Sequence, residues 1–224
     1  MNIHKMIDHT KLGANVSLQQ IDQLIEEAKT YRFKSVCVNP IWVSYAKHAL
    51  KETDVLVCTV IGFPHGTHQT SVKRFEADTA VIDGADELDM VINVSALKQK
   101  KDEEVKKDIQ AVVEAGQGRL VKVILETCYL NPEEIERACK IAVEAGAHFV
   151  KTSTGFGPSG AKVEDVVLMK KAVNGRALVK ASGGVRTYDD AMKMIEAGAS
   201  RIGTSNGVDI VNQRRVNYDS NTSY

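Results

Sequence analysis

Short β-branched runs alternate with amphipathic stretches along this chain, and glycines mark the change from one to the other. They stand at Gly84, Gly116, Gly146, Gly175 and Gly198, at intervals of 32, 30, 29 and 23 residues. Three sit in near-copies: Asp83-Gly84-Ala85, Ala145-Gly146-Ala147 and Ala197-Gly198-Ala199. Glycine is favoured just past a helix, where the backbone turns left-handed, and the apolar run after each reads as a strand. The repeating unit is therefore helix, glycine stop, strand, loop. It predicts eight strands, over 5–9, 35–39, 55–61, 87–92, 120–126, 148–152, 177–181 and 201–204. Helical periodicity falls between them, as over 18–30, 72–83, 102–115, 132–145, 164–173 and 188–197. Asn131-Pro132-Glu133-Glu134 is a well-formed helix start, with a capping amide, proline in the first turn and acids facing the dipole. Pro40, Pro64 and Pro158 each follow a predicted strand, where a loop must begin.

This alternation predicts a parallel sheet. Eight units in 224 residues predict an α/β fold, a single-domain (β/α)8 TIM barrel over 1–224, with polar 212–224 as a loose tail. An open doubly wound sheet is the alternative. It would carry a GxGxxG-type turn after its first strand, and His9-Thr10-Lys11-Leu12-Gly13 offers none.

Charge narrows the range of partners. Lys plus Arg is 29 and Asp plus Glu is 29, so no basic surplus points to nucleic acid. No apolar run approaches a membrane span, and the first twelve residues lack a signal-peptide core. Cys37, Cys58, Cys128 and Cys139 form no CxxC pair and read as reduced thiols, which fits a cytoplasmic protein.

In a barrel of this kind, chemistry gathers at the C-terminal ends of the strands. Asp8 and Thr10 are expected after the first strand, and Asp89 and Asn93 on the fourth. Lys122 and Glu126 share parity on the fifth, Lys151 is on the sixth and Lys180 on the seventh. Strand side chains alternate, and Val121, Val123 and Leu125 suit the helix side, so the polar set points inward. A lysine in an apolar strand is favoured as the neutral amine, which is a nucleophile toward carbonyl carbon. Lys180 beside Lys151 adds like-charge repulsion, and Asp89 can shuttle protons. The plainer reading is a buried salt-bridge network that only fills the barrel.

Three loops carry hydroxyls and glycines suited to a phosphate. They are Thr152-Ser153-Thr154-Gly155, Ser182-Gly183-Gly184-Val185-Arg186 and Gly203-Thr204-Ser205-Asn206-Gly207. Thr152, Gly155, Gly183, Gly184, Gly203 and Ser205 of these loops, with the inward Lys122, are the expected substrate-binding set.

The runs ELDMVINVSALK, VKVILET, VKTSTGFG, VKASGGVRT and GTSNGV, with VCTVIGFP and IDHTKL before them, resemble the deoxyribose-phosphate aldolase family. The match runs from about Ile7 to Val208. The resemblance implies a class I aldolase, without cofactor or metal, that reversibly cleaves 2-deoxy-D-ribose 5-phosphate to D-glyceraldehyde 3-phosphate and acetaldehyde. It implies that Lys151 forms the Schiff base, that Asp89 donates and accepts protons, and that Lys180 tunes the amine. Gly155, Gly183, Gly184 and Ser205 would hold the phosphate. The implied partner is a small phosphorylated sugar, with a homodimer or homotetramer as the assembly. The chain departs from the family at Asn206, where a second serine is usual, at Ser95, where glycine is common, and at His65 and His68.

Three other readings compete with it. His65 and His68 are the one close histidine pair a metal-dependent aldolase could use, though no third ligand follows at a telling spacing. A barrel isomerase with Glu126 as base would use the same phosphate loops. A sugar-phosphate sensor would keep the barrel without turnover.

Overall fold

The computed structural model describes residues 2–213. Eight parallel strands close in sequence order: β1 (Ile7–Lys11), β2 (Ser35–Val38), β3 (Leu56–Ile61), β4 (Glu87–Val91), β5 (Leu120–Ile124), β6 (Phe149–Lys151), β7 (Leu178–Ser182) and β8 (Arg201–Thr204). The last pairs with the first, Asp8 opposite Gly203, which closes the (β/α)8 barrel and leaves no free edge. Around it run α1 (Leu18–Tyr31), α2 (Val43–Ala49), α3 (Thr70–Ile82), α4 (Val94–Lys98), α5 (Asp102–Ala115), α6 (Pro132–Glu144), α7 (Val163–Val173), α8 (Tyr188–Glu196) and α9 (Gly207–Val211). The tail expected over 212–224 lies, from residue 214 onward, outside the described residues.

Period-two alternation sorts the strand side chains into two populations. Val36, Val57, Leu88, Met90, Val121, Val123, Val150, Val179 and Ile202 face the helices and are buried in one continuous apolar core. Their sequence neighbours Asp8, Glu87, Asp89, Lys122, Lys151, Lys180 and Arg201 point into the barrel and are buried too. Barrel interiors are usually filled with layers of branched apolar residues. A polar filling on this scale marks the place where the chain departs from packing alone.

Helix starts follow the local chemistry. Ser17, Asn131 and Thr187 each close a reciprocal capping box at the N-termini of α1, α6 and α8. The short α2, α4 and α9 were not anticipated by periodicity, because five to seven residues hold too few turns to show an apolar face.

Two expected boundaries move, with consequences. A 3-10 turn over Ile3–Met6 occupies the start of the first predicted strand, so β1 begins later and Asp8 and Thr10 lie within it, not after it. β5 stops at Ile124, and Glu126 takes a left-handed backbone (φ 55°, ψ 62°) that breaks the strand's parity.

A buried ion pair outside the barrel interior fastens two helices to the end of β4. Lys73 of α3, fully buried, donates to Asp108 of α5 at 2.5 Å and to the carbonyl of Val91 at 2.9 Å. Thr70 donates to the other oxygen of Asp108 at 2.9 Å. Gly62 makes room for the lysine, since a Cβ there would lie 2.8 Å from Lys73 Cε. Removing one partner strands a buried charge, which costs about 3–5 kcal/mol, whereas an apolar pair of similar volume can be nearly neutral. Asp108→Ala is therefore expected to lose about that much stability in urea unfolding, and Lys73→Met with Asp108→Leu to recover most of it. Equal losses in both variants would show that the pair does more than neutralise itself.

Candidate active site

The inward residues assemble around the Asp89 carboxylate. Its Oδ2 accepts from Lys151 Nζ and from Lys180 Nζ, each at 2.8 Å, and its Oδ1 accepts from Lys122 Nζ at 2.8 Å. Strand register builds this arrangement, with Asp89 opposite Lys122 across β4 and β5 and Lys151 opposite Lys180 across β6 and β7. One layer below, Asp8 accepts from Lys180 at 2.5 Å and from Arg201 at 2.6 Å. Glu87 accepts from Lys122 at 2.6 Å and from both terminal nitrogens of Arg201, at 3.0 and 3.1 Å. Ser35 donates to Asp8 at 2.7 Å. Three carboxylates thus face four cationic side chains.

The three lysines are not equivalent. Lys122 and Lys180 are fully buried and each is held by at least two carboxylates. Lys151 is 3% exposed and, among the described residues, pairs with Asp89 alone. It ends β6 at the C-terminal mouth of the barrel, where the chain breaks into Thr152–Gly155.

Electrostatics fix the charge states of its neighbours. Burial by itself would raise Asp89, but Lys122, Lys151 and Lys180 outweigh it and hold the carboxyl well below its usual range. Asp8 is depressed likewise, with Lys180 and Arg201 overcoming burial. For Lys180 burial opposes charge, yet Asp8 and Asp89 more than compensate, and its ammonium is held well above the ordinary lysine value. Lys122 is raised in the same way, chiefly by Asp89 against its burial.

Not every expected residue joins this cluster. Glu126 is turned away by its left-handed backbone and, among the described residues, pairs with no lysine. It accepts from the Thr154 backbone N–H at 3.2 Å and from the Thr154 hydroxyl, clamping the loop after β6. Thr152 is also committed to structure, donating to the Ser182 carbonyl at 3.0 Å and accepting the Ser182 N–H at 3.1 Å. Gly203 lies within β8, where a Cβ would meet Lys180 Cε at 3.0 Å, so this glycine makes room for the lysine stem. Gly155, Gly183 and Gly184 take the left-handed backbone that a tight loop demands, with φ of 89°, 84° and 76°. Ser205 is exposed and donates to Asn206 at 3.3 Å. The loops after β6 and β7 are laid together by Ala161, whose N–H bonds the Ser182 and Gly183 carbonyls at 3.1 and 2.9 Å. His65 and His68 line separate cavities, the first beside Glu126 and Phe156, the second beside Glu104 and Asp108.

Sequence reasoning passed over four members. Glu87 shares parity with Asp89, and Arg201 with Gly203, so both were legible as inward residues. Cys37 and Cys58 were read merely as reduced thiols, yet Cys58 Sγ donates to Asp89 Oδ1 at 3.2 Å. Burial, Cys37 and Asp89 push the Cys58 thiol well up, while its neighbour Cys58 outweighs burial and lowers Cys37.

Among known proteins, the DeoC/LacD family aldolase model matches residues 3–213. The deoxyribose-phosphate aldolase of Acholeplasma laidlawii is 56% identical over 224 residues, covering 100% of both chains. That of Carboxydothermus hydrogenoformans is 58% identical over 213 residues, 93% of each. The tetrameric deoxyribose phosphate aldolase of Aeropyrum pernix superimposes with a TM-score of 0.88 at 32% identity, covering 94% of this chain and 89% of that one. A closed barrel with lysines around a buried aspartate, matched over nearly its whole length, places this chain in the DeoC/LacD aldolase family.

Proposed function

We propose that this chain is one catalytic domain, a class I aldehyde-lyase that cleaves 2-deoxy-D-ribose 5-phosphate to D-glyceraldehyde 3-phosphate and acetaldehyde, and catalyses the reverse. The observation that carries the reading is the single carboxylate oxygen, Asp89 Oδ2, shared at 2.8 Å by Lys151 and Lys180 at the barrel mouth.

The neutral amine of Lys151 attacks the C1 aldehyde, and Asp89 passes the protons that turn the carbinolamine into an iminium with loss of water. The iminium withdraws electrons from the C2–C3 bond. As the C3 hydroxyl gives up its proton to the Asp89 carboxylate, that bond breaks, glyceraldehyde 3-phosphate leaves and an enamine remains on Lys151, with the proton held on Asp89 for return to C2. Protonation at C2 and hydrolysis release acetaldehyde and regenerate the amine. Lys180, held as the ammonium by Asp8 and Asp89, supplies the fixed positive charge beside the reacting nitrogen. The left-handed glycines Gly155, Gly183 and Gly184, with Ser205, are the groups we assign to the phosphate, and Lys122 keeps Asp89 oriented. Among the described residues no helix is long and apolar enough to cross a membrane, and the thiols are free, which fits a cytoplasmic enzyme. A homo-oligomer is the expected assembly, by analogy with the tetrameric Aeropyrum pernix enzyme.

The test is borohydride reduction in the presence of deoxyribose 5-phosphate, with and without EDTA, followed by intact mass and peptide mapping. A stable adduct on Lys151, unaffected by EDTA, is expected. Turnover that EDTA abolishes, with no adduct, would replace the Schiff-base reading with a metal-dependent one.

A further inference from the structure

Two buried thiols lie beside the Asp89 carboxylate and take no part in the reaction just described. Cys37 of β2 and Cys58 of β3 are register partners, so both side chains enter the barrel at one level. With Leu12 and Val60 they form a small apolar cluster, separate from the main core, against which Phe63 packs. Cys37 Sγ, Cys58 Sγ and a carboxylate oxygen of Asp89 all lie within 4.8 Å of one another. Two thiolates on a tetrahedral zinc ion, with Zn–S of about 2.3 Å, stand roughly 3.8 Å apart. A closure of about an ångström or less therefore makes three protein ligands and leaves a fourth position open.

We infer that Cys37, Cys58 and Asp89 form an inhibitory site for a thiophilic divalent cation, of which zinc is the biological representative and cadmium the spectroscopic one. Charge permits it. Each thiol gives up its proton as its sulfur binds the metal, so one divalent cation enters as two protons leave and the net charge of the buried cluster is unchanged. The surrounding cations also keep partners. The thiols face Asp89 Oδ1, with Cys58 Sγ 3.2 Å from it, so the metal displaces Lys122 from that oxygen and from Cys58, and Lys122 retains Glu87 at 2.6 Å. Oδ2 keeps Lys151 and Lys180, each at 2.8 Å, but a cation bound to the other oxygen makes the carboxylate a poorer proton acceptor, and Lys151 has no second carboxylate among the described residues. Binding thus takes Asp89 out of proton transfer without dismantling the rest of the network.

The inhibitory effect rests on the roles proposed above for Lys151 and Asp89, whereas the binding site does not. The experiment reads the two separately. Metal-free enzyme is titrated with cadmium chloride while the ultraviolet thiolate-to-cadmium absorption and proton release are recorded. One tightly bound ion per chain with two protons released is expected, and at least tenfold weaker binding in both Cys37→Ser and Cys58→Ala. Cys128→Ser, which alters a thiol outside the cluster, is expected to bind as the parent does. In a parallel arm, zinc is expected to suppress turnover and borohydride trapping together, and EDTA to restore both. An absorption that survives both cysteine substitutions, or turnover unchanged by stoichiometric zinc, would overturn the proposal. If the metal-free enzyme itself fails to turn over deoxyribose 5-phosphate, the functional reading falls while the titration still decides the site.

Discussion

Lys151→Leu is expected to leave a folded protein that forms no borohydride-stable adduct and loses activity by about 10⁴-fold or more, the scale on which removal of a covalent nucleophile acts. The fold should tolerate the change for a reason visible in the charge count. Asp89 keeps Lys122 and Lys180, both at 2.8 Å, when Lys151 is gone. The buried set then holds three carboxylates against Lys122, Lys180 and Arg201, so no carboxylate loses its last partner. Urea unfolding within about 1 kcal/mol of the parent is the accompanying expectation, since stranding a buried charge is what makes such substitutions costly. An adduct that reappears on Lys122 or Lys180, or activity near that of the parent, would show that another amine carries the reaction.

How much of this site could be read from the chain depended on whether strand parity survived to the end of each strand. Lys122, Lys151, Lys180 and Asp89 sit within regular strands, where alternation fixes direction, and all four were placed correctly as inward residues. Glu126 shares their parity by counting, but the strand ends two residues earlier and a left-handed turn sends its carboxylate to the loop after β6. Counting along a sequence cannot register such a turn when no glycine announces it. Gly203 has a structural role that the sequence did not show. It resembles a loop glycine, and its missing side chain also accommodates Lys180 from the adjacent strand β7, a contact set by strand register. Arg201 and Glu87 were overlooked because each looks like an ordinary strand-start charge until the barrel brings them together at 3.0 Å. The fold itself was more legible, since eight repeats of one local unit admit few closed arrangements.

Lys180→Leu is expected to act on rate, pH profile and acid stability together, and the signs follow from its two partners. A positive charge beside an amine favours the neutral form of that amine. Without it, the rising limb of the rate profile should move upward and activity at neutral pH should fall by roughly 10²–10⁴-fold, the range for a lost proton-transfer partner. Stability responds through two linked groups. The Lys180 ammonium is raised by Asp8 and Asp89, so its contribution is fully present below the unfolded lysine value of about 10.4 and is lost only as pH rises through the folded one. The variant lacks that contribution throughout the neutral range. Asp8 is depressed with Lys180 as its leading counterion, so its contribution is present above about pH 3.9 and lost as pH falls through the folded value. Removing Lys180 raises that folded value, and the acid-unfolding midpoint followed by circular dichroism should shift to higher pH. Adding Asp8→Asn removes the carboxylate that Lys180 had neutralised, leaving Arg201 with Glu87 at 3.0 Å. The double variant should therefore regain most of the lost stability and resist acid again, while its rate and pH profile stay displaced. Recovery of rate along with stability would mean that Lys180 serves the barrel rather than the reaction.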